Sequence, residues 1–348
     1  MNLLVTTYIP DEFEDVLDDL FTSVEQKGMV EKGRTLTEEE LIAALKGKDV
    51  LLVEFDPVTE RVLEEAEDLK LIASVRGGAH ANIDVEAASK RGIPIINCPG
   101  RNCDTVADFT MGLMISLARG IAKSHKQIKD EIITDEKDYD ENGFCKGDVN
   151  WVGDTPEKFA YLQYKGPTLS GKTLSLIGYG AIAREVAKRA LASDMEVIAY
   201  DPYVNEEKIE HNVSLVSLEK ALSTGDFISI HLPVTSETKG MLDEKKLKLM
   251  KSDAFFINTA RAAVLDYEFL IELLEDKKIN GAAFDVYPVE PLPPGHPLIK
   301  LNNVVLTPHI GGASLDPYQR SYRMLIEDIK NFLNGESFER LFNPEFKS

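Results

Sequence analysis

The stretch KTLSLIGYGAIAREVAKRAL, Lys172–Leu191, decides how the rest of the chain is read. It opens with an apolar strand, TLSLI, and turns at once into Gly178, Gly180 and Ala183 in a G-x-G-x-x-A pattern. Ile182, Val186, Ala187 and Ala190 then fall on one helical face. Gly178 permits a tight turn, Gly180 lets a pyrophosphate approach the backbone, and a small side chain at Ala183 lets helix and strand pack closely. The amides at the helix start, those of Ala181 and Ile182 among them, would face the phosphates. About 20 residues beyond the glycines the next strand, EVIAY, ends at Asp201. A carboxylate there binds both ribose hydroxyls of NAD and repels the 2′-phosphate of NADP, so the expected cofactor is NAD. A glycine pattern alone is weak evidence; the strand before it, the helix after it and the acid at the next strand end make it specific.

Outward from this unit the same alternation continues. After Thr168 the runs TLSLI, EVIAY, FISIHL, AFFIN, AAFDV and NVVLT are separated by stretches able to form helices or loops, giving six strands of a doubly wound sheet. From Leu3 to Asn97, LLVTT, VLLVEF, LKLIASV and IPIIN alternate with helix-like stretches at Glu38–Leu45 and Val58–Ala66, a second parallel sheet. The segment from Asp104 to about His125 is apolar on more than one face (Val106, Phe109, Leu113, Ile115, Leu117, Ile121). It reads as one helix buried all round, at a subunit interface or between domains. Asp316–Leu333 reads as an amphipathic helix that returns to the first domain. The expected fold is therefore α/β with two doubly wound parallel-sheet domains: residues 1–103 with 313–348, and residues 104–312.

The composition excludes some partners. There are 39 Lys plus Arg against 59 Asp plus Glu, a net charge of −20 that repels phosphate backbones and anionic membranes. Neither nucleic acid nor a membrane is expected as a partner, and an anionic substrate would need local positive charge. The three cysteines, Cys98, Cys103 and Cys145, lack C-x-x-C pairing and read as reduced thiols; no metal site is indicated. The first residues, MNLLVTTYIPDEFEDV, carry no basic segment followed by a long apolar run, so a cytoplasmic address is expected. The acidic run DEIITDEKDYDEN, residues 130–142, reads as a solvated loop without chemistry.

Three further residues sit at or beyond strand ends: Arg261 after AFFINTA, Glu290 after AAFDVYPV, and His309 after VVLTP. Singly each has an ordinary explanation, as a surface charge, a solvated acid or a structural histidine. Ligands of open α/β sheets bind outside the carboxyl ends of the strands, where all three can converge. Hydride transfer to a 2-oxo acid requires a cation to hold the carboxylate and polarise the carbonyl, and a planar arginine does so bidentately. It also requires a proton donor for the developing alkoxide, and a histidine beside a carboxylate serves.

The segments LSLIGYGAIA, ISIHLPVTSETKGML, FFINTARAAVLD, GAAFDVYPVEPLP and NVVLTPHIGG occur in the order of the D-isomer-specific 2-hydroxyacid dehydrogenases. The chain resembles that family over almost its whole length, and within it short-form D-3-phosphoglycerate dehydrogenase. The resemblance implies a Rossmann cofactor domain and a discontinuous flavodoxin-like substrate domain. It implies that Arg261 binds the substrate carboxylate and carbonyl, that His309 is the acid/base and that Glu290 is its partner. It places Asp285 at the nicotinamide amide, Thr259 and Ala260 along the cofactor crevice and Pro233 beside the adenosine half, with His231, Thr238, His309 and Gly311 also binding the cofactor.

The substrate loop departs from the family's usual R-x-G-x-G-x-D-N-I-D. Here it reads VRGGAHANID, residues 75–84, with Arg76 displaced by one place, Gly77 and Gly78 able to offer amides to a carboxylate, and His80 unusual. The loop EFDPVT, residues 54–59, lacks a cation that phosphoglycerate-specific members often carry, and Ala262 stands where a glycine commonly follows the arginine. Trp151 matches a family tryptophan before the first cofactor-domain strand. A homodimer is expected. The function that follows is NAD-dependent hydride transfer between nicotinamide and a D-2-hydroxy acid or 2-oxo acid, with D-3-phosphoglycerate one candidate. The alternatives are a glyoxylate or hydroxypyruvate reductase and, from another class, a nicotinamide-sensing corepressor-like binding protein.

Overall fold

A computed structural model describes residues 1–132, 160–205, 209 and 212–347. Most of the acidic run at 130–142, Cys145 and Trp151 lie outside the described residues. The chain divides into two compact units, Met1–Asn102 with Ser314–Ser348, and Cys103–Ala313.

The first unit is built on five parallel strands, β1 (Asn2–Val5), β2 (Ser23–Gln26), β3 (Val50–Val53), β4 (Leu71–Ser74) and β5 (Ile95–Ile96), in the order β2-β1-β3-β4-β5. The order reverses between β1 and β3, so a crevice is expected at the carboxyl ends of those two strands. β3 and β4 are buried at every residue, because apolar layers cover both faces of the sheet. One layer uses the helix Asp316–Asn334, whose Tyr322, Leu325, Ile326 and Ile329 pack with Leu3, Val5 and Leu52. The helix Glu38–Leu45 begins at a capping box in which the Thr37 and Glu40 side chains each accept the other's backbone N–H. The neighbouring helix covers only Glu60–Glu65 of the expected Val58–Ala66: Thr59 caps it, and Val58 instead forms a parallel bridge with Ile83.

The second unit carries seven parallel strands, β6 (Thr173–Ile177), β7 (Glu196–Tyr200), β8 (Val213–Leu215), β9 (Phe227–Ile230), β10 (Phe255–Asn258), β11 (Gly281–Phe284) and β12 (Val304–Leu306). Their order is β12-β11-β10-β9-β6-β7-β8, a doubly wound sheet that reverses between β6 and β9. Two strands escape the sequence pattern, β2 and β8. Each lies at the edge of its sheet and neither is buried along its length, so neither shows a continuous apolar run.

The segment 104–125 is not one helix. It forms Cys103–Ala118 and Ile121–Lys129, bent by 67° at Gly120, which adopts the left-handed conformation (φ 60°). Nor is it buried all round. Val106, Ala107, Thr110, Met111, Leu113 and Met114 are buried within this unit, whereas Ile115 is 41% and Ile121 50% exposed. Among the described residues no single helix is long and apolar enough to cross a membrane, and this pair meets that length only across its bend.

Candidate active site

The glycine turn joins β6 to the helix Ala181–Ala192. Gly178 has φ +93°, and a Cβ added there would lie 2.8 Å from the carbonyl oxygen of His231, so no other residue fits without backbone movement. Gly180 caps the helix N-terminus, and a Cβ on it would meet nothing within 4 Å. The exposed Ala181 opens the helix, and the fully buried Ala183 packs against the sheet. Asp201 follows β7; its Oδ2 accepts the Tyr179 backbone N–H and its Oδ1 that of Tyr203, each at 2.9 Å. The turn, an open helix N-terminus and an anchored carboxylate fit the pyrophosphate and ribose of a dinucleotide.

His231 follows β9. Its Nε2 lies 2.9 Å from Ser229 Oγ, and burial pushes the imidazole down to about 4, which keeps it neutral near pH 7. Beyond it the exposed Pro233 leads into a loop closed by Thr238, whose Oγ1 donates to the Pro233 carbonyl and accepts the Thr235 N–H at 2.8 Å.

The carboxyl ends of β10, β11 and β12 carry Arg261, Glu290 and His309. His309 Nδ1 lies 2.7 Å from Glu290 Oε2, and Glu290 Oε1 accepts the backbone N–H of Tyr287 at 2.9 Å. Burial pushes the Glu290 carboxyl upward, but the His309 and Tyr287 hydrogen bonds and the charge of Arg261 outweigh it and hold the group below the usual carboxylate range. Arg261 is exposed, and its Nη1 donates to its neighbour's carbonyl, Ala260 O, at 2.6 Å. Asn258, at the end of β10, fixes this turn from below: its Oδ1 accepts the Ala260 N–H and its Nδ2 donates to Arg261 O, both at 3.0 Å.

Asp285 is 1% exposed and spends both oxygens on the chain that carries His309. Oδ1 accepts from Thr307 Oγ1 at 2.6 Å and from Ile310 N at 2.9 Å; Oδ2 accepts from Gly311 N at 2.7 Å. A Cβ on Gly311 would lie 2.9 Å from that Oδ2, so glycine is what lets the loop close on the acid. Thr259 Oγ1 lies 3.1 Å from Thr110 Oγ1. Neither Asn258 nor Thr110 stands out in the sequence; Asn258 sits inside an apolar strand, which is the one signal available, and Thr110 carries none beyond a polar residue on a buried helical face.

In the first unit, Arg76, Gly77 and Gly78 follow β4. The Arg76 guanidinium carbon sits 5.4 Å from the centre of the Phe55 ring, and the exposed Gly77 accepts through its carbonyl from Asn97 Nδ2 at 2.8 Å. His80 stacks on Phe342 with ring centres 5.9 Å apart.

Residues 111–311 match the model of the D-isomer specific 2-hydroxyacid dehydrogenase, NAD binding domain. The chain is 36% identical to a glyoxylate reductase of Thermofilum pendens, covering 88% of this chain and 85% of that one. It is also 36% identical to the D-3-phosphoglycerate dehydrogenase of Methanocaldococcus jannaschii over 94% of its own length, and spans 57% of that protein. The crystal structure of the TT0316 protein of Thermus thermophilus is 32% identical, with a TM-score of 0.79 over 98% of this chain and all (100%) of the other. With a parallel sheet that reverses at a glycine turn, an acid after its second strand and a matching family model over that unit, the chain belongs to the D-isomer specific 2-hydroxyacid dehydrogenases, NAD-dependent oxidoreductases that move hydride between nicotinamide and a 2-hydroxy acid or its 2-oxo acid.

Proposed function

We propose that Arg261, Glu290 and His309 perform the chemistry of this dehydrogenase. The observation that carries the reading is the 2.7 Å contact between His309 Nδ1 and Glu290 Oε2. Engaging Nδ1 leaves Nε2 as the nitrogen that presents a proton to the substrate. Bound NADH supplies the hydride that is added to C2 of the 2-oxo acid. The substrate oxygen then takes the Nε2 proton, leaving His309 neutral; in oxidation the neutral ring removes the hydroxyl proton. Glu290 stabilises the imidazolium and fixes the ring's orientation, itself held by the Tyr287 N–H. Arg261 leaves its contact with Ala260 O to clasp the substrate carboxylate with two parallel N–H donors. Gly178, Gly180, Ala181, Ile182 and Asp201 hold the pyrophosphate and adenosine ribose, with His231, Pro233, Thr238, Thr259, Ala260 and Gly311 lining the rest of the cofactor site. Asp285 holds the turn after His309, and the first unit, through Arg76, Gly77 and Gly78, receives the substrate. Replacing Arg261 with Ala is expected to abolish NADH oxidation with glyoxylate or hydroxypyruvate while NADH still quenches protein fluorescence on binding; retained turnover would refute its role.

The protein is further proposed to act in the cytoplasm as a homodimer, with small acids and not nucleic acids or membranes as partners. Cys98 is buried and forms no disulfide among the described residues, as expected of a reducing compartment. The helix Ile121–Lys129 buries no residue within its own unit, yet presents Ile121 and Ile128 at 50% and 57% exposure, an apolar face that a second copy would cover. Light scattering that returns the mass of a single chain at working concentration would overturn the dimer.

A further inference from the structure

Residues 340–343 form a strap along the edge strand β5: Leu341 bridges Ile96 in antiparallel sense, Phe342 N donates to Ile95 O at 2.7 Å, and Arg340 O accepts the Asn97 N–H at 3.2 Å. Two fully buried side chains fix it in place. Asn343 accepts the Ile95 N–H at 2.7 Å and donates to Ile93 O at 3.0 Å, and Asp328, on the helix Asp316–Asn334, holds Arg340 Nη1 at 3.0 Å. From the strap two lines of contact reach the loop of Arg76, Gly77 and Gly78. In the first, Asn97 donates through Nδ2 to Gly77 O at 2.8 Å, while the N–H of its neighbour Cys98 donates to Arg76 O at 3.0 Å. The peptides that carry those two carbonyls are trans, so each N–H points opposite to its carbonyl, and the amides of Gly77 and Gly78 are turned away from the Asn97 and Cys98 backbone. The second line is a stack. The His80 ring lies against Phe342, centres 5.9 Å apart and planes 22° from parallel, and also over Gly78, where an added Cβ would come within 3.1 Å of His80 Cε1. Gly78 has ordinary extended backbone, φ −133°, so it is the ring and not the turn that crowds a side chain there.

We propose that Asn97, His80 and Phe342 are positioning residues for the reaction: the strap sets the aim of the Gly77 and Gly78 amides, and through them the hold on the acid group of the substrate. The argument is one of order. Two adjacent glycines lose more conformational freedom on being fixed than any other pair, so a loop built on them is a poor receiver unless something holds it beforehand. Asn97 holds the Gly77 carbonyl from one side, and the His80 ring, pinned by Phe342, covers Gly78 from the other. The ordering then belongs to folding and not to binding, which is how preorganisation raises affinity. The three side chains act through the loop and not by touching the substrate. The inference rests on the proposed reading that this loop receives the substrate.

The test is steady-state NADH oxidation by the full chain with glyoxylate and with hydroxypyruvate, reading the KM for the acid and the KM for NADH separately. Asn97→Ala, Phe342→Ala and His80→Ala should each raise the KM for the acid by about tenfold, the size of one lost hydrogen bond, and leave the KM for NADH where the parent has it. His80→Phe, which keeps a flat ring against Phe342, should keep the parent's KM for the acid. The double variant of His80→Ala with Phe342→Ala should be no worse than the worse single one, because either change alone already breaks the stack. His80 is exposed, so its variants carry the test if Phe342→Ala does not fold. Gly77→Ala serves as the direct probe of the loop, since its Cβ would lie 3.3 Å from Cys98 O and shift the peptide itself. A raised KM for the acid in Gly77→Ala beside unmoved values in the folded Asn97 and His80 variants overturns the strap's role. So does a rise shared equally by NADH, which would be general loosening. An unmoved KM in all of them sinks instead the reading that the loop receives the acid, and the inference with it.

Discussion

Asp285 Oδ2 accepts the backbone N–H of Gly311 at 2.7 Å and thereby fixes the chain just beyond His309, a residue with the left-handed φ of 56°. A non-glycine residue in that conformation costs about 1 to 2 kcal/mol and persists only where its surroundings hold it. Here the hold is a buried carboxylate with three donors, two of them backbone N–H groups one and two places after the histidine. The aim of the imidazole is therefore set from within the fold.

Replacing Asp285 with Asn should expose this coupling. The amide can accept through one atom only, so at least one buried N–H of Ile310 or Gly311 loses its partner, a cost of about 1–3 kcal/mol. Urea denaturation should show a loss of that size, with kcat falling more than tenfold as the His309 turn relaxes. A variant as stable and as active as the parent would show that the turn holds itself.

Acid should act through Glu290. Its carboxyl is lowered in the folded chain, so its contribution to stability is present above the unfolded value near 4.5 and is lost as pH falls through the folded value. Glu290→Gln should flatten the decline in melting temperature below about pH 4.5, by a small amount because the side chain is 35% exposed and solvent screens it. In catalysis the same change removes the acceptor that orients the imidazole, and kcat/KM for reduction should fall at least tenfold. Unchanged turnover in the variant would remove Glu290 from the mechanism.

What could be read from the sequence follows what each contact leaves behind in it. Buried strands such as β9 and β10 write continuous apolar runs, and the Gly178 turn writes residues whose backbone needs are specific. The edge strands β2 and β8 write nothing, because neither is buried along its length. The segment from Asp104 misled because apolar content was equated with burial, whereas Gly120 bends it and turns Ile121 and Ile128 outward. Arg261, Glu290 and His309 were legible as types at strand ends. That Glu290 is held by a Tyr287 N–H, or that Glu54 meets Arg101 and Tyr318 across 47 and 264 positions of chain, leaves no local pattern.

Gly178 offers a test of the glycine turn itself. With φ at +93° and a would-be Cβ 2.8 Å from the His231 carbonyl oxygen, Gly178→Ala must move the backbone of β6 or of the β9 loop. The φ cost alone is about 1–2 kcal/mol. NADH affinity, measured by fluorescence titration, should fall at least tenfold together with a lower melting temperature. Unchanged affinity would mean that the turn has slack that the geometry does not show.

Asp201 is proposed to set which nicotinamide nucleotide is used. Its two oxygens are already anchored by the N–H groups of Tyr179 and Tyr203, each at 2.9 Å, so the carboxylate cannot swing away from a ligand beside it. Each oxygen keeps a second lone pair for a ribose hydroxyl, and the negative charge repels a 2′-phosphate. Asp201→Ser should lower kcat/KM with NADH, since one shorter hydroxyl replaces the two carboxylate oxygens that the Tyr179 and Tyr203 N–H groups use, and should lower it far less with NADPH. The ratio of NADPH to NADH efficiency is then expected to rise at least tenfold. A ratio that stays where the parent has it would mean that the acid only ties the glycine turn to β7 and takes no part in recognising the ribose.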